Sequence, residues 1–343
     1  MWFIARIPIL GFALLAGIGS LAAAPCEFAN PIARGADPWV VRHGSHYYWC
    51  QSERNLAVAV YRSERLDDLG AKFIVWKAPP SGRYSKEFWA PELHSLDDRW
   101  FIYVAASDGE NRNHRMIALE ADAPTGPFAM KAELQTGDTL GATNRWAIDG
   151  TILERDGKRY FIWSGWEDEQ DVQYLYIALM SNPWTLSGPR LRLCANNDHL
   201  WEHVAESRDE RGLNEAPQVW QREGRTFLFY SCSGSWEPTY KIGLLTLAPD
   251  GDPLRPADWR KHPQPVFQST ATTFGVGHGS ITASPDGAED WLAYHAKNDR
   301  APGWRRSIFV QPFTWSDDNL PVFGPPVAPG TKLPCPSGTV WTD

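Results

Sequence analysis

Three carboxylates stand in closely similar sequence contexts, and together they suit the hydrolysis of a glycosidic bond. Asp37 lies in Gly35-Ala36-Asp37-Pro38-Trp39, Asp149 in Ile148-Asp149-Gly150-Thr151, and Glu215 in Asn214-Glu215-Ala216-Pro217-Gln218. Glycoside hydrolysis uses one carboxylate to activate water or to attack, and one carboxylic acid to protonate the leaving oxygen. A further carboxylate nearby, with partial burial, raises the acid's pKa so that it keeps its proton near neutral pH. Each residue also has a plainer reading: a turn at Asp37-Pro38, a strand-end cap at Asp149, a surface side chain after a loop at Glu215. Pro38 restricts Asp37 to extended conformations. Asp149, set beside apolar strand residues, needs a partner or a role, and Gly150 leaves room for a backbone or ligand to come close.

Two further motifs share the pattern. Trp89-Ala90-Pro91-Glu92-Leu93-His94 carries an aromatic where the others carry polar groups. Trp89 is a candidate wall of a sugar pocket, and Glu92 is either a fourth acid or a partner of His94 or Arg99. Gly275-Val276-Gly277-His278-Gly279 sets His278 among glycines that allow tight backbone packing. Two readings stay open for His278: a hydrogen-bonded core residue, or a side chain facing a hydrated cation, for which oxygen-rich surroundings suit Ca²⁺.

The elements that must position these residues recur five times. Each motif runs into a tight turn and a second strand, the turns being marked by Gly44, Asp98, Gly157, Gly224 and Gly287 at spacings of 54, 59, 67 and 63 residues. Four short strands and their loops account for such a period. Repeats this long, made of strands, stack radially as blades. The expected fold is therefore all-β: a five-bladed β-propeller of four-stranded antiparallel blades around a central channel. Each motif residue precedes its turn by seven to nine residues, so Asp37, Asp149 and Glu215 are expected to converge near the axis. Short β-branched or aromatic runs bounded by Gly, Asp, Asn or Pro fill most of the chain, and no stretch holds a helical apolar period for three turns. The segments Ser107 to Asn113, Trp166 to Asp171 and Ser233 to Pro238 are expected as irregular loops on the sugar side. With Trp89, the first two would close one side of a blind pocket. Asp198 to Arg211 is polar and suits a short helix ahead of the Glu215 strand.

Composition narrows the function classes. The net charge of −8 with no basic run argues against nucleic acid and anionic membranes as partners. Residues 1–24 read as a secretion signal, with Arg6, an apolar run from Ile7 to Leu21 and the small residues Ala22-Ala23-Ala24. Residues 25–343 read as a single propeller domain, secreted to an extracellular or periplasmic space and expected to be a monomer. Five cysteines leave at least one thiol free. A Cys26–Cys335 bridge would staple the ring shut, Cys50 and Cys232 suit buried thiols, and the absence of any CxxC argues against structural zinc. The 18 Trp residues are expected partly between blades and partly against sugar, whose C–H faces stack on flat rings.

At these motifs the chain resembles glycoside hydrolase family 43, the five-bladed propeller arabinofuranosidases, arabinanases and xylosidases, over nearly its whole length after the leader. The resemblance implies Asp37 as general base, Glu215 as general acid and Asp149 as the carboxylate that raises the acid's pKa and orients it. The family usually has Gly where Ala216 stands. Gly277-His278-Gly279-Ser280 is similar to the block whose His faces a central cation through water, which implies a Ca²⁺ in the channel and no organic cofactor. Arg306, or its neighbour Arg305, falls where the family places a sugar-contacting arginine, so Trp89 and Arg306 are the candidate substrate contacts. His94, Asn214-Glu215 and Tyr294-His295-Ala296 look most like the exo-acting α-L-arabinofuranosidases. The expected activity is inverting release of terminal α-L-arabinofuranosyl residues from arabinose- or xylose-containing plant polysaccharide. A β-xylosidase, an endo-arabinanase and a non-catalytic sugar-binding propeller are the alternatives. The short stretch after Arg306 does not accommodate the extra sandwich domain that the resemblance associates with β-xylosidases.

Overall fold

Strand-forming sequence becomes blades because each inner hairpin has a turn built for it. A computed structural model describes residues 26–138, 144–167 and 171–340. In three blades the first hairpin turns on two residues that both have positive φ: Asp97-Asp98, Asp156-Gly157 and Glu223-Gly224. That is the backbone whose twist matches the flanking strands of a tight hairpin. The first blade comprises Trp39–His43, His46–Glu53, Ala57–Ser63 and Ala71–Lys77. The second comprises Lys86–Leu96, Arg99–Ser107, Arg115–Ala121 and Ala129–Glu133. The third runs Ala147–Arg155, Lys158–Trp166 and Gln173–Asn182, and its outer edge is split into Thr185–Leu186 and Leu191–Arg192. The fourth comprises Asn214–Arg222, Arg225–Cys232, Lys241–Leu247 and Trp259–Lys261. All pairings within blades are antiparallel, and the inner strands of neighbouring blades touch in ring order. This is the five-bladed propeller that the repeat implies.

The fifth blade takes strands from both chain ends. Phe274–Ala283, Asp290–Lys297 and Arg306–Trp315 form its inner three strands, and the two residues Ala33–Arg34 add the fourth by pairing with Ile308 and Ser307. Glu27–Ala29 then pairs with Lys332–Pro334, and Cys26 bonds Cys335 with their Cα atoms 5.4 Å apart. The bridge closes a loop across almost the entire chain, where a crosslink restricts the unfolded ensemble most. Replacing both cysteines by Ser is expected to cost about 2–4 kcal/mol. The measurement is a lower unfolding temperature, with activity at 25 °C retained. Cys50, Cys194 and Cys232 are free, the first and last buried.

Packing between blades divides the core into five apolar clusters, one at each interface. Tyr48, Val58 and Ile102 join blades one and two, and Phe101, Phe161 and Trp163 join two and three. Ile162, Leu228 and Leu245 join three and four, Phe229, Ile281 and Phe309 join four and five, and Trp49, Trp291 and Val310 join five and one. Part of the tryptophan content thus fills the wedges between blades. The segment expected as a short helix forms two single 3₁₀ turns, Leu200–Glu202 and Val204–Glu206. Residues 1–24, read as a signal, lie outside the described residues, as do 168–170 within one of the expected sugar-side loops.

Candidate active site

Each inner strand is bent at the same point, and the bend aims side chains at the axis. In blades two to five the ladder skips two residues, between Trp89 and Glu92, Ile148 and Thr151, Glu215 and Gln218, and Gly277 and Ser280. Such bulges re-aim side chains and are frequent beside active sites. The first skipped residue is left-handed in every case, and Asp37 matches it in blade one: φ is 51° at Asp37, 44° at Ala90, 55° at Asp149, 52° at Ala216 and 45° at His278. The residue that follows is Pro or Gly in all five copies. Proline has no N–H to lose from the ladder, and glycine tolerates the distortion.

This geometry corrects two expectations. Asp37 is left-handed and not extended: Pro38 disfavours the right-handed helical region but leaves this bend available, and partners from the fifth blade hold the carboxylate there. Glu215 is not the positional equivalent of Asp37 and Asp149. Ala216 takes that place, one residue later, at the position where the resemblance leads one to expect Gly. Its left-handed backbone points the Ala216 N–H at Asp149 Oδ2, 3.0 Å away.

The N-terminal ends of the five inner strands surround a cavity of about 610 Å³ that brings together Asp37, Trp89, Asp149, Glu215, His278 and Arg306. Asp37 Oδ1 receives a hydrogen bond from Arg306 Nη1 at 3.0 Å and lies 3.3 Å from His278 Nδ1 and 3.1 Å from His295 Nδ1. Burial works to raise its pKa, but the charges of Arg306 and His278 and the contact with His295 outweigh that and hold the carboxyl well below the usual carboxylate range. Burial drives His295 the other way, down to about 3. Arg305 points away: its side chain is 80% exposed and pairs with Asp299. The arginine of the cavity is therefore Arg306.

Glu215 sits 6% exposed, with Gln173 Nε2 donating to Oε2 at 3.0 Å and the Tyr240 hydroxyl donating to Oε1 at 2.9 Å. Burial raises its pKa, and the charge of Asp37 adds to the rise against the hydrogen bonds from Gln173, Tyr240 and Ser235. Asp149 is also buried and pushed well above the ordinary range, by burial first and then by the charges of Glu215 and Asp37. The pair thus retains a proton where an isolated carboxylate would have lost it. One cavity holds a carboxylate forced to ionise and two carboxyls resisting ionisation.

Glycine makes two of these contacts possible. A Cβ at Gly277 would lie 2.4 Å from the Tyr240 ring, so only glycine admits the tyrosine that binds Glu215. A Cβ at Gly150 would lie 2.0 Å from Phe161 Cζ. The room at Gly150 is filled by that buried ring and not by a ligand. Gly150→Ala is expected to displace Phe161 and the bend that carries Asp149, at a cost of about 1–3 kcal/mol. Denaturant unfolding beside the wild type measures it.

Other sequence candidates land as follows. Trp89 lines the cavity, stacked on His114 with ring centroids 3.8 Å apart. Glu92 is buried and pairs with His94 Nε2 at 2.9 Å, while Arg99 pairs with Glu120 and Asp122. For a cation at His278 the fit is poor: its Nδ1 faces Asp37, whose same oxygen holds the Arg306 guanidinium. Among the described residues no group of three or more His, Cys, Asp or Glu side chains converges as a metal site. Direct coordination therefore does not fit. Gln173, Tyr240, Ser235 and His295 went unassigned from sequence. Only His295 had a signal, its place in the Tyr294-His295-Ala296 block.

The comparisons agree with this geometry. A sequence model of Glycosyl hydrolases family 43 matches residues 28–321. Alpha-L-arabinofuranosidase 43 of Humicola insolens is 33% identical over 341 residues, covering 92% of this chain and 68% of the relative. The extracellular exo-alpha-(1->5)-L-arabinofuranosidase of Streptomyces chartreusis is 33% identical over 289 residues, covering 82% and 86%. The crystal structure of an alpha-L-arabinofuranosidase from Lactobacillus brevis superimposes with a TM-score of 0.80 at 34% identity, over 89% of this chain and 98% of that one. With its bent inner strands and opposed carboxyls, this chain belongs to glycosyl hydrolases family 43.

Proposed function

We propose that this chain is an exo-acting α-L-arabinofuranosidase that cleaves with inversion. The observation that carries the reading is the opposite displacement of carboxyl pKa values within one cavity, which separates a base from an acid. Asp37, ionised against Arg306, takes a proton from the water that attacks the anomeric carbon. Glu215, kept protonated by burial, donates to the leaving oxygen. Asp149 shares the acid's proton and is steadied by the Ala216 N–H. Trp89 and Arg306 contact the terminal sugar. Exo action is supported by the walls that Trp89, Asn111 and Asp171 give the cavity and by the names of the Streptomyces relatives.

The substrate in this reading is arabinose-containing polysaccharide, and the reaction uses no organic cofactor. A channel Ca²⁺ enters only as a water-mediated neighbour of His278, and no step runs through it. Secretion after removal of residues 1–24 is supported by relatives named as extracellular. No helix among the described residues is long and apolar enough to cross a membrane. The experiment is proton NMR of linear arabinan digestion at early times. Free arabinose released with inverted configuration is the expected result. Retained configuration would remove the base role from Asp37, and a ladder of oligosaccharides would replace exo by endo action. Release of xylose instead of arabinose from paired aryl glycosides would move the chain to the xylosidases.

A further inference from the structure

Among the described residues Trp304 is the most exposed tryptophan, at 64%, yet it is firmly placed. The preceding Gly303 donates its N–H to the Trp236 carbonyl at 2.8 Å, and the Asn298 N–H bonds the Arg305 carbonyl at 2.9 Å. The first bond ties the loop between the last two inner strands of the fifth blade to the loop after Cys232, and the second closes the base of that fifth-blade loop. The rings of Trp236 and Trp304 lie with centroids 5.7 Å apart and planes tilted by 54°, and both line the cavity. Scattered exposed apolar residues need no explanation. Two tryptophans in mutual contact, on loops joined by a main-chain hydrogen bond beside a cavity that holds three carboxyls, do.

Their place indicates what they meet. Trp236 follows Ser235, whose side chain hydrogen-bonds Glu215. Glu215 is thus linked through Ser235 to the loop that carries Trp236, and it lines the same cavity as both tryptophans. The sugar attached through the leaving oxygen has to lie beyond Glu215, outside the pocket that takes the terminal residue. A pentose ring offers a face of C–H groups there, and a tilted pair of indoles supplies a matching apolar face. On its inner side Trp304 lies against Arg306, whose guanidinium carbon is 5.5 Å from the ring centroid.

We propose that Trp236 and Trp304 form the binding platform for the leaving-group sugar, the second pentose of an arabino-oligosaccharide. The inference rests on the arabinofuranosidase reading above. It assigns to these residues selectivity for the sugar on the leaving side of the scissile bond, while Trp89 and Arg306 face the terminal sugar being released.

The test compares wild type with Trp304→Ala and Trp236→Ala on arabinobiose, which fills both positions, and measures inhibition by free arabinose, which fills the inner one. The platform predicts a fall of about five- to ten-fold in kcat/KM on arabinobiose, carried mainly by KM, with Trp304→Phe recovering much of it. The arabinose inhibition constant should stay within about two-fold, because stacking lost from the leaving group is uniform binding of that group alone. Unchanged kcat/KM in both Ala variants overturns the platform. So does an arabinose constant that weakens in step with kcat/KM, which would reduce Trp304 to a prop for Arg306. If the wild type cleaves xylobiose and leaves arabinobiose intact, the arabinose reading fails. The platform is then scored by the same comparison with xylobiose and xylose.

Discussion

Glu215→Gln is expected to lower kcat/KM on arabinobiose by about 10²–10⁴-fold, the usual contribution of a positioned proton donor. The amide fills the same space and can still meet Gln173 and Tyr240, so the loss reports the missing proton and not a collapsed pocket. Aryl arabinofuranosides with acidic phenols depart with little help, and on them the loss should shrink by at least an order of magnitude. The pH profile gives a second readout. The Glu215/Asp149 pair is raised, so the protonated form persists to higher pH than for a free carboxyl, and kcat/KM falls as pH rises through the pair's upper apparent value. In Glu215→Gln that alkaline limb should disappear. An equal loss across leaving groups, with the limb intact, would count against the acid assignment.

Asp37→Asn should damage activated and unactivated substrates alike, by about 10²–10⁴-fold, because water must be activated in both. Here stability changes as well. Asp37 is depressed in the folded protein, so its ionised form contributes stability that is present above the unfolded carboxyl's value and lost as pH falls through the folded one. At neutral pH the asparagine removes that contribution and leaves Arg306 facing two histidines without a counter-charge. The variant should therefore unfold at lower temperature than wild type at pH 7, with the gap closing toward strongly acidic pH. Parallel thermal melts across that range and rates on both substrate types decide it. Activity retained on aryl substrates would remove Asp37 from water activation.

The sequence made the architecture legible through chemistry that has few substitutes. Hairpins with two left-handed residues favour Asp, Asn or Gly, and Asp97-Asp98, Asp156-Gly157 and Glu223-Gly224, each with Asp or Gly at the second position, marked the repeat. The bends demand Pro or Gly after the left-handed residue, which kept five motifs recognisable. What stayed hidden depends on contacts between distant segments. Gln173 opens the third strand of the third blade and Tyr240 immediately precedes the third strand of the fourth, and neither carries a local mark of its reach to Glu215. The two-residue strand Ala33–Arg34 is too short to show a period, so the way the fifth blade is completed could not be read. The choice between Arg305 and Arg306 turned on strand alternation at the edge of an element, where one residue reverses the facing direction. The offset of Glu215 by one position escaped for a related reason: spacing to the turn varies with the bulge, and counting residues does not locate it.

Completion of the fifth blade by Ala33–Arg34 also sets when the protein becomes an enzyme during its synthesis. Asp37 leaves the ribosome early, and the Arg306 that clamps it follows 269 residues later. At about 5–20 residues per second the interval is on the order of tens of seconds. For most of it, a growing arc of blades carries Asp37 without Arg306, His278 or His295, and with sheet edges unpaired. The strand that seals the ring ends three residues before Asp37, so sealing and the delivery of those three partners are one event. The complete cavity arrives late and all at once, and a chain stalled before residue 306 holds Glu215 and Asp149 but an Asp37 without its arginine.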